Sequence, residues 1–190
     1  MDKSFKLQDI KQYEIVFICG LYKTGTSLLT QLIETDLRYF NPSASTNPNE
    51  RGYGRKKERY HTRECKQLRS LNLGFINSSK IDERSIFNYL DTLQKPSVLK
   101  DPQFCFTLCD WYEKAIAMNF NPLIIFTNRE LVEIKESWSF APYTKGLLEN
   151  GKLDLFLAAY NEQIMVAKEK KLSHISIEFN EILNLSPELK

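Results

Sequence analysis

Lys23, Thr24, Gly25, Thr26 and Ser27 stand together in one turn-forming run, Gly20-Leu-Tyr-Lys-Thr-Gly-Thr-Ser27. One ammonium, three aliphatic hydroxyls and two glycines within eight residues suit the holding of an anion of the phosphate or sulfate kind. Glycine lets a backbone turn tightly and aim its N–H groups inward. The run follows the apolar stretch Ile15-Val-Phe-Ile-Cys19 and leads into Leu28-Leu-Thr-Gln-Leu-Ile33. The first of these is short and β-branched, as a buried parallel strand is, and the second has helical spacing. The order is therefore strand, loop, helix, and the helix N-terminus adds partial positive charge to the same cavity.

The loop approaches the phosphate-binding pattern G-x-x-x-x-G-K-[ST], but Thr26 takes the place of its lysine and Lys23 lies three positions earlier. That displacement argues against an ordinary ATPase. A second group of candidates lies about a hundred residues on, where the strand-like Leu123-Ile-Ile-Phe-Thr127 ends in Asn128-Arg129. The helical segment Leu131 to Trp138 follows, so Arg129 and Ser137 are eight positions apart. An arginine at the end of a parallel strand and a hydroxyl two turns into the next helix can meet one ligand at the carboxyl edge of a sheet. The alternative for Arg129 is a surface ion pair with Glu130 or Glu133.

Together these segments resemble the sulfotransferase family. In that family a loop written roughly P-K-[ST]-G-T-[ST] holds the 5′-phosphosulfate end of 3′-phosphoadenosine 5′-phosphosulfate (PAPS), and an arginine and a serine eight apart hold its 3′-phosphate. The resemblance makes Lys23, Thr24, Gly25, Thr26 and Ser27 the cofactor-binding cradle, with Arg129 and Ser137 as the 3′-phosphate pair. Val98-Leu-Lys-Asp-Pro-Gln-Phe104 looks like the family's K-D-P or K-S-P segment, which puts Lys100 beside the sulfuryl group. Asn49-Glu-Arg-Gly-Tyr53 is similar to the N-x-x-G-[YF] segment of bacterial members.

Two features depart from that pattern. Gly52-Tyr-Gly-Arg55 has arginine where the family usually has a glutamate, so the candidate base is missing there, with Glu58 and His61 as possible substitutes. The glycine-rich loop that completes the 3′-phosphate site in cytosolic members has no counterpart before Lys190.

Sulfuryl transfer is similar to phosphoryl transfer, with a loose in-line transition state whose charge collects on the equatorial and leaving oxygens. Ammonium and backbone N–H groups stabilise such charge, and in principle no metal is needed. The expected catalytic pair is Lys23 at the leaving phosphate oxygen and Lys100 at the sulfuryl oxygens. The acceptor is a hydroxyl or amine, on a carbohydrate or a small metabolite. Other readings are a nucleotide-binding protein of the same fold that has lost catalysis, and a nucleotide kinase or similar phosphoryl transferase.

The elements that must position these residues alternate between strand and helix, which implies a parallel sheet covered by helices. The expected architecture is a P-loop NTPase-like three-layer α/β fold in a single domain spanning 1–190. A covering helix is expected over Leu153 to Lys171, with Phe156, Leu157, Tyr160, Ile164 and Ala167 on one face, and a last strand over His174 to Phe179. Phe104, Phe106, Leu108 and Trp111 are expected in the core of another helix, which Asp101 would cap with Pro102 at its first position.

Composition narrows the function classes. With 190 residues and 42% hydrophobic content the chain can bury a sizeable core. Lysine and arginine total 26 against 24 aspartate and glutamate, a net charge of +2, which disfavours nucleic acid as partner. The basic stretch Arg51 to Arg63 reads as a solvated helix face, or alternatively as a mouth for an anionic acceptor or a lid over the nucleotide. Two histidines and no C-x-x-C spacing give no zinc pattern. No stretch approaches a membrane span or a signal peptide, so the expected location is cytoplasmic.

Overall fold

A computed structural model describes residues 5–42, 68, 70–73, 82–140 and 142–185. The Asn49 to Tyr53 segment, Arg55, Glu58, His61 and the rest of the basic stretch lie outside the described residues.

Four short runs form the strands of one sheet: β1 (Ile15–Cys19), β2 (Ser97–Lys100), β3 (Pro122–Asn128) and the alternating polar and apolar β4 (His174–Glu178). The strand order is β2-β1-β3-β4, and every pairing is parallel. β1, β2 and β3 have almost no side chain on the surface, so both faces of the sheet are covered, as parallel sheets require. Phe40 adds a one-residue bridge outside β2: its N–H donates to the Pro96 carbonyl at 2.8 Å, and its carbonyl accepts from Val98 N–H at 2.9 Å.

Side chains along a strand alternate between faces, and the core divides accordingly. Ile15, Phe17, Cys19, Leu99, Ile124 and Phe126 share one cluster with residues of α2 (Glu83–Asp91), α3 (Phe104–Ala117), α4 (Leu131–Phe140) and α6 (Lys152–Glu169). Val16, Ile18, Val98, Leu123 and Ile125 form the other with α1 (Thr26–Leu37), the 3-10 turn Leu7–Gln12 and Ile182 of α7 (Phe179–Asn184). The short α5 (Pro142–Glu149) joins α4 to α6. At roughly 25 cal/mol per Å² of apolar surface removed from water, these two clusters supply most of the drive to fold.

The α/β architecture with its parallel sheet and flanking helices agrees with the sequence expectation: the strands before Lys23 and Arg129 lie within one residue of their expected bounds, β2 ends at Lys100, and α1 extends four residues beyond Ile33. One local expectation is corrected. Asp101 does not cap α3, which begins at Phe104 with Gln103 as its N-cap. Asp101 instead closes the preceding turn: its Oδ1 accepts from Gln103 N–H at 2.7 Å, and its carbonyl accepts from Phe104 N–H at 3.1 Å. Pro102 sits inside that turn because its fixed φ suits a turn as well as a first helical residue. The last strand ends at Glu178, one residue short of expectation, because Glu178 and Glu181 form a capping box that starts α7 at Phe179.

Candidate functional site

From β1 the chain runs to β2 on one side, then crosses to β3 on the other side of β1. The connections leaving β1 and β3 therefore head in opposite directions, and such a switch point opens a crevice at the carboxyl ends of the strands. The loop of residues 20–25 and the residues just after β3 both lie there. Lys100, the last residue of β2, is in register with Ile18 on β1, so it reaches the same edge and is 5% exposed.

The loop is held by contacts that only small residues permit. A Cβ on Gly20 would lie 2.0 Å from Thr127 Oγ1 and 2.5 Å from Thr24 Oγ1. With that space open, Thr24 Oγ1 donates to the Leu21 carbonyl at 2.8 Å and meets Thr127 Oγ1 at 2.8 Å. Thr24 N–H also donates to the Leu21 carbonyl, at 3.3 Å, so both donors of Thr24 shape the loop. Gly25 has φ 87, the left-handed region that favours glycine, and caps α1 without any side-chain acceptor. The first-turn N–H groups of α1 have no intrahelical acceptor, and no acidic residue stands among them. Thr26 is buried and Ser27 half-buried in that turn.

Lys23 also adopts a left-handed conformation, with φ 73, and burial lowers the pKa of its half-buried ammonium. Arg129 fixes this residue from across the crevice: its Nη1 donates to the Lys23 carbonyl at 3.0 Å. Its Nε donates to Glu133 Oε2 at 2.8 Å, and its guanidinium lies over the Phe179 ring, 4.3 Å from the centroid. Phe179 in turn closes on Gly25, where an added Cβ would come within 2.8 Å of its ring. Ser137 is half-buried on α4, one turn beyond Glu133 on the same helical face, while Arg129 precedes the helix and reaches Glu133 through its side chain.

No protein-family model, curated protein or solved structure matches the chain. The site is therefore read from its own geometry.

The structure brings Lys23, Gly25, Thr26, Ser27, Lys100 and Arg129 to one edge of the sheet, through the ends of β1, β2 and β3, and Ser137 lies in the second turn of α4, the helix that follows β3. Glu133, named from the sequence as one possible partner of Arg129, is its ion-pair partner in the fold. Sequence reasoning did not single out Thr127, Tyr22, Gln103, Trp138 or Phe179. Trp138 Nε1 donates to the Tyr22 carbonyl at 2.7 Å, which anchors the loop on α4. Tyr160, whose burial raises its pKa, donates to Asn128 Oδ1 at 2.8 Å and fixes the end of β3. Among the described residues no group of three or more His, Cys, Asp or Glu side chains could hold a metal ion, and no helix is long and apolar enough to cross a membrane.

Proposed function

We propose that the chain is a sulfotransferase of a P-loop NTPase-like fold, moving a sulfuryl group from PAPS to a hydroxyl or amine. The observation that carries this reading is the bond from Arg129 Nη1 to the Lys23 carbonyl, which joins the anion loop to the arginine of the eight-residue pair. Two segments a hundred residues apart are thus joined at one edge of the sheet, and uncapped helix N–H groups, two lysines and an arginine at that edge suit a doubly anionic ligand.

In this reading the first-turn N–H groups of α1 with Thr26 and Ser27 hold the 5′ end, and Arg129 with Ser137 holds the 3′-phosphate. The ammonium of Lys23 stabilises the leaving phosphate oxygen, while Lys100 neutralises charge on the sulfuryl oxygens. Bound PAPS supplies the activated sulfuryl group; the protein supplies position and charge. The acceptor's proton needs a general base, for which Glu58 and His61 are the candidates. A carbohydrate or a small metabolite fits the acceptor role.

The ion pair between Arg129 and Glu133 favours a second reading, an anion site without 3′-phosphate selectivity, as in a nucleotide-binding protein without catalysis or a phosphoryl transferase. Calorimetric titration with 3′-phosphoadenosine 5′-phosphate beside ADP separates the two. The sulfotransferase reading expects a strong preference for the 3′-phosphorylated ligand that Arg129→Ala abolishes. Equal binding of both ligands, or magnesium-dependent ATP turnover, would decide for the second reading.

A further inference from the structure

The two edges of the sheet differ. At β2 the outer backbone groups are met by Phe40, whose N–H and carbonyl take the Pro96 carbonyl and the Val98 N–H. At β4, among the described residues, no strand or isolated bridge pairs the outer edge. Open edges are ordinarily guarded by lysine, proline or a bulge. His174-Ile-Ser-Ile-Glu178 has no lysine or proline, and its register with β3 runs unbroken over all five residues.

The pairing with β3 decides which backbone groups face outward. Ile124 N–H donates to the Ser173 carbonyl at 2.9 Å, and along a strand the backbone groups alternate between its two sides. Ser173, Ile175 and Ile177 therefore turn theirs to β3, and His174, Ser176 and Glu178 turn theirs away. Glu178 N–H is taken by Glu181 Oε2 at 2.7 Å within the capping box. Ser176, exposed at the middle of the strand, presents both its N–H and its carbonyl at the open edge.

We propose that β4 pairs antiparallel with β4 of a second copy of this chain, about a two-fold axis at Ser176, which joins two four-stranded sheets into one of eight. The strand is complementary to itself in that register. His174 of one copy faces Glu178 of the other, Ile175 faces Ile177, and Ser176 faces Ser176, where two N–H groups and two carbonyls close one hydrogen-bonded pair. The charges agree: exposed Lys171 precedes the strand and exposed Glu181 follows it, so antiparallel pairing sets the basic end of one copy against the acidic end of the other. Parallel pairing would set like against like.

A cavity of about 410 Å³ adjoins the same edge, with Phe5, Ile10, Tyr13, Leu123, Ile175 and Ser176 in its lining. Ile10 and Leu123 are buried, while Phe5, Tyr13 and Ile175 are only partly so. The register supplies what fills it. α7 follows β4 on the sheet face of Ile175 and Ile177, so the second copy's α7, with its partly buried Leu183, comes beside Ile175, where this cavity lies. The inference makes no use of the sulfuryl-transfer reading and stands or falls apart from it.

Sedimentation of the full chain between about 1 μM and 1 mM tests the pairing, over the range in which a small, transient interface assembles. The mass should rise from one chain to two and stop there, because two-fold pairing uses up the edge. Hydrogen exchange at the Ser176 amide should slow about 5-fold or more across the range, while the Ile177 amide, already bonded to β3, changes less. Ser176→Pro removes the central N–H and Ser176→Lys sets two ammoniums opposite each other; both should stay monomeric while melting like the parent chain at the lowest concentration. His174→Glu, which opposes carboxylates at both ends of the pair, should weaken the dimer by about 3- to 20-fold. A chain still monomeric at the top of the range overturns the proposal and leaves the edge to a strand of another protein. A dimer that Ser176→Lys leaves intact, assembly beyond two chains, or concentration-independent exchange at Ser176 overturns it as well. Should Ser176→Pro fail to fold, Ser176→Lys decides alone.

Discussion

Arg129 Nη1 reaches the carbonyl of Lys23 at 3.0 Å, across the crevice between β3 and the loop that follows β1. The left-handed backbone of Lys23, φ 73, is a conformation that a non-glycine residue keeps only when its surroundings impose it. Arg129 is part of what imposes it. Arg129→Ala should therefore loosen the loop as well as remove a cation, with a stability loss of about 1 kcal/mol for a partly exposed bond. Arg129→Lys should restore little, because a single ammonium cannot serve Lys23 and Glu133 while lying flat on Phe179. Hydrogen exchange at the amides of residues 21–25 is the check: unchanged protection in Arg129→Ala would leave the brace without support.

Gly20 and Gly25 are required for different reasons, and their alanine variants should show it. In Gly20→Ala the new methyl would meet Thr127 and Thr24 hydroxyls, so the strand and loop must separate, at ~1–3 kcal/mol for overpacking. In Gly25→Ala a left-handed φ of 87 is combined with contact against Phe179, and the backbone term alone is roughly 1–2 kcal/mol. Urea denaturation of both variants would measure the losses. Removing the Phe179 side chain should relieve part of the cost in Gly25→Ala and none in Gly20→Ala.

The strands and the loop were legible because their signals are local. Ile15 to Cys19 is an uninterrupted apolar run, and Gly20 and Gly25 bracket a turn whose cap geometry depends on glycine. The alternation of strand and helix carried the parallel sheet, since parallel neighbours need a crossover between them. What escaped is long-range: Thr127 meets Thr24 across 103 positions and Trp138 meets the Tyr22 carbonyl across 116, and no spacing rule pairs such residues. The cap of α3 escaped for a local reason. Asp101 can close either a helix or a turn, and the Asp-Pro pair has the same sequence in both.

Lys23 gives the site a pH dependence whose sign can be worked out. Burial disfavours its charged form, so its pKa in the folded chain lies below the ordinary 10.5. As pH rises through that lowered pKa, the ammonium is lost while an unfolded chain would still be charged. Stability therefore gains slightly between the folded value and 10.5, whereas anion affinity falls over the same interval. Titrations of 3′-phosphoadenosine 5′-phosphate in alkaline buffers of different ionisation enthalpy should reveal proton uptake on binding, and Lys23→Met should abolish it. Proton uptake that survives in Lys23→Met would assign it to another group.

Glu133 holds the guanidinium that the proposed 3′-phosphate needs, and an incoming phosphate must compete with its carboxylate. The pair is only partly buried, with side-chain exposures of 21% for Arg129 and 46% for Glu133, so solvent screens it and the competition is small. Glu133→Gln removes the negative charge and keeps a side chain of the same shape. Affinity for 3′-phosphoadenosine 5′-phosphate should rise by about 3- to 5-fold, the effect of an ion pair worth up to ~1 kcal/mol. ADP, which lacks the 3′-phosphate, should gain less. The opposite outcome has a definite meaning too: weaker binding in Glu133→Gln would show that the carboxylate orients Arg129 for the ligand rather than occupying its place, and that Arg129 and Glu133 act as one unit.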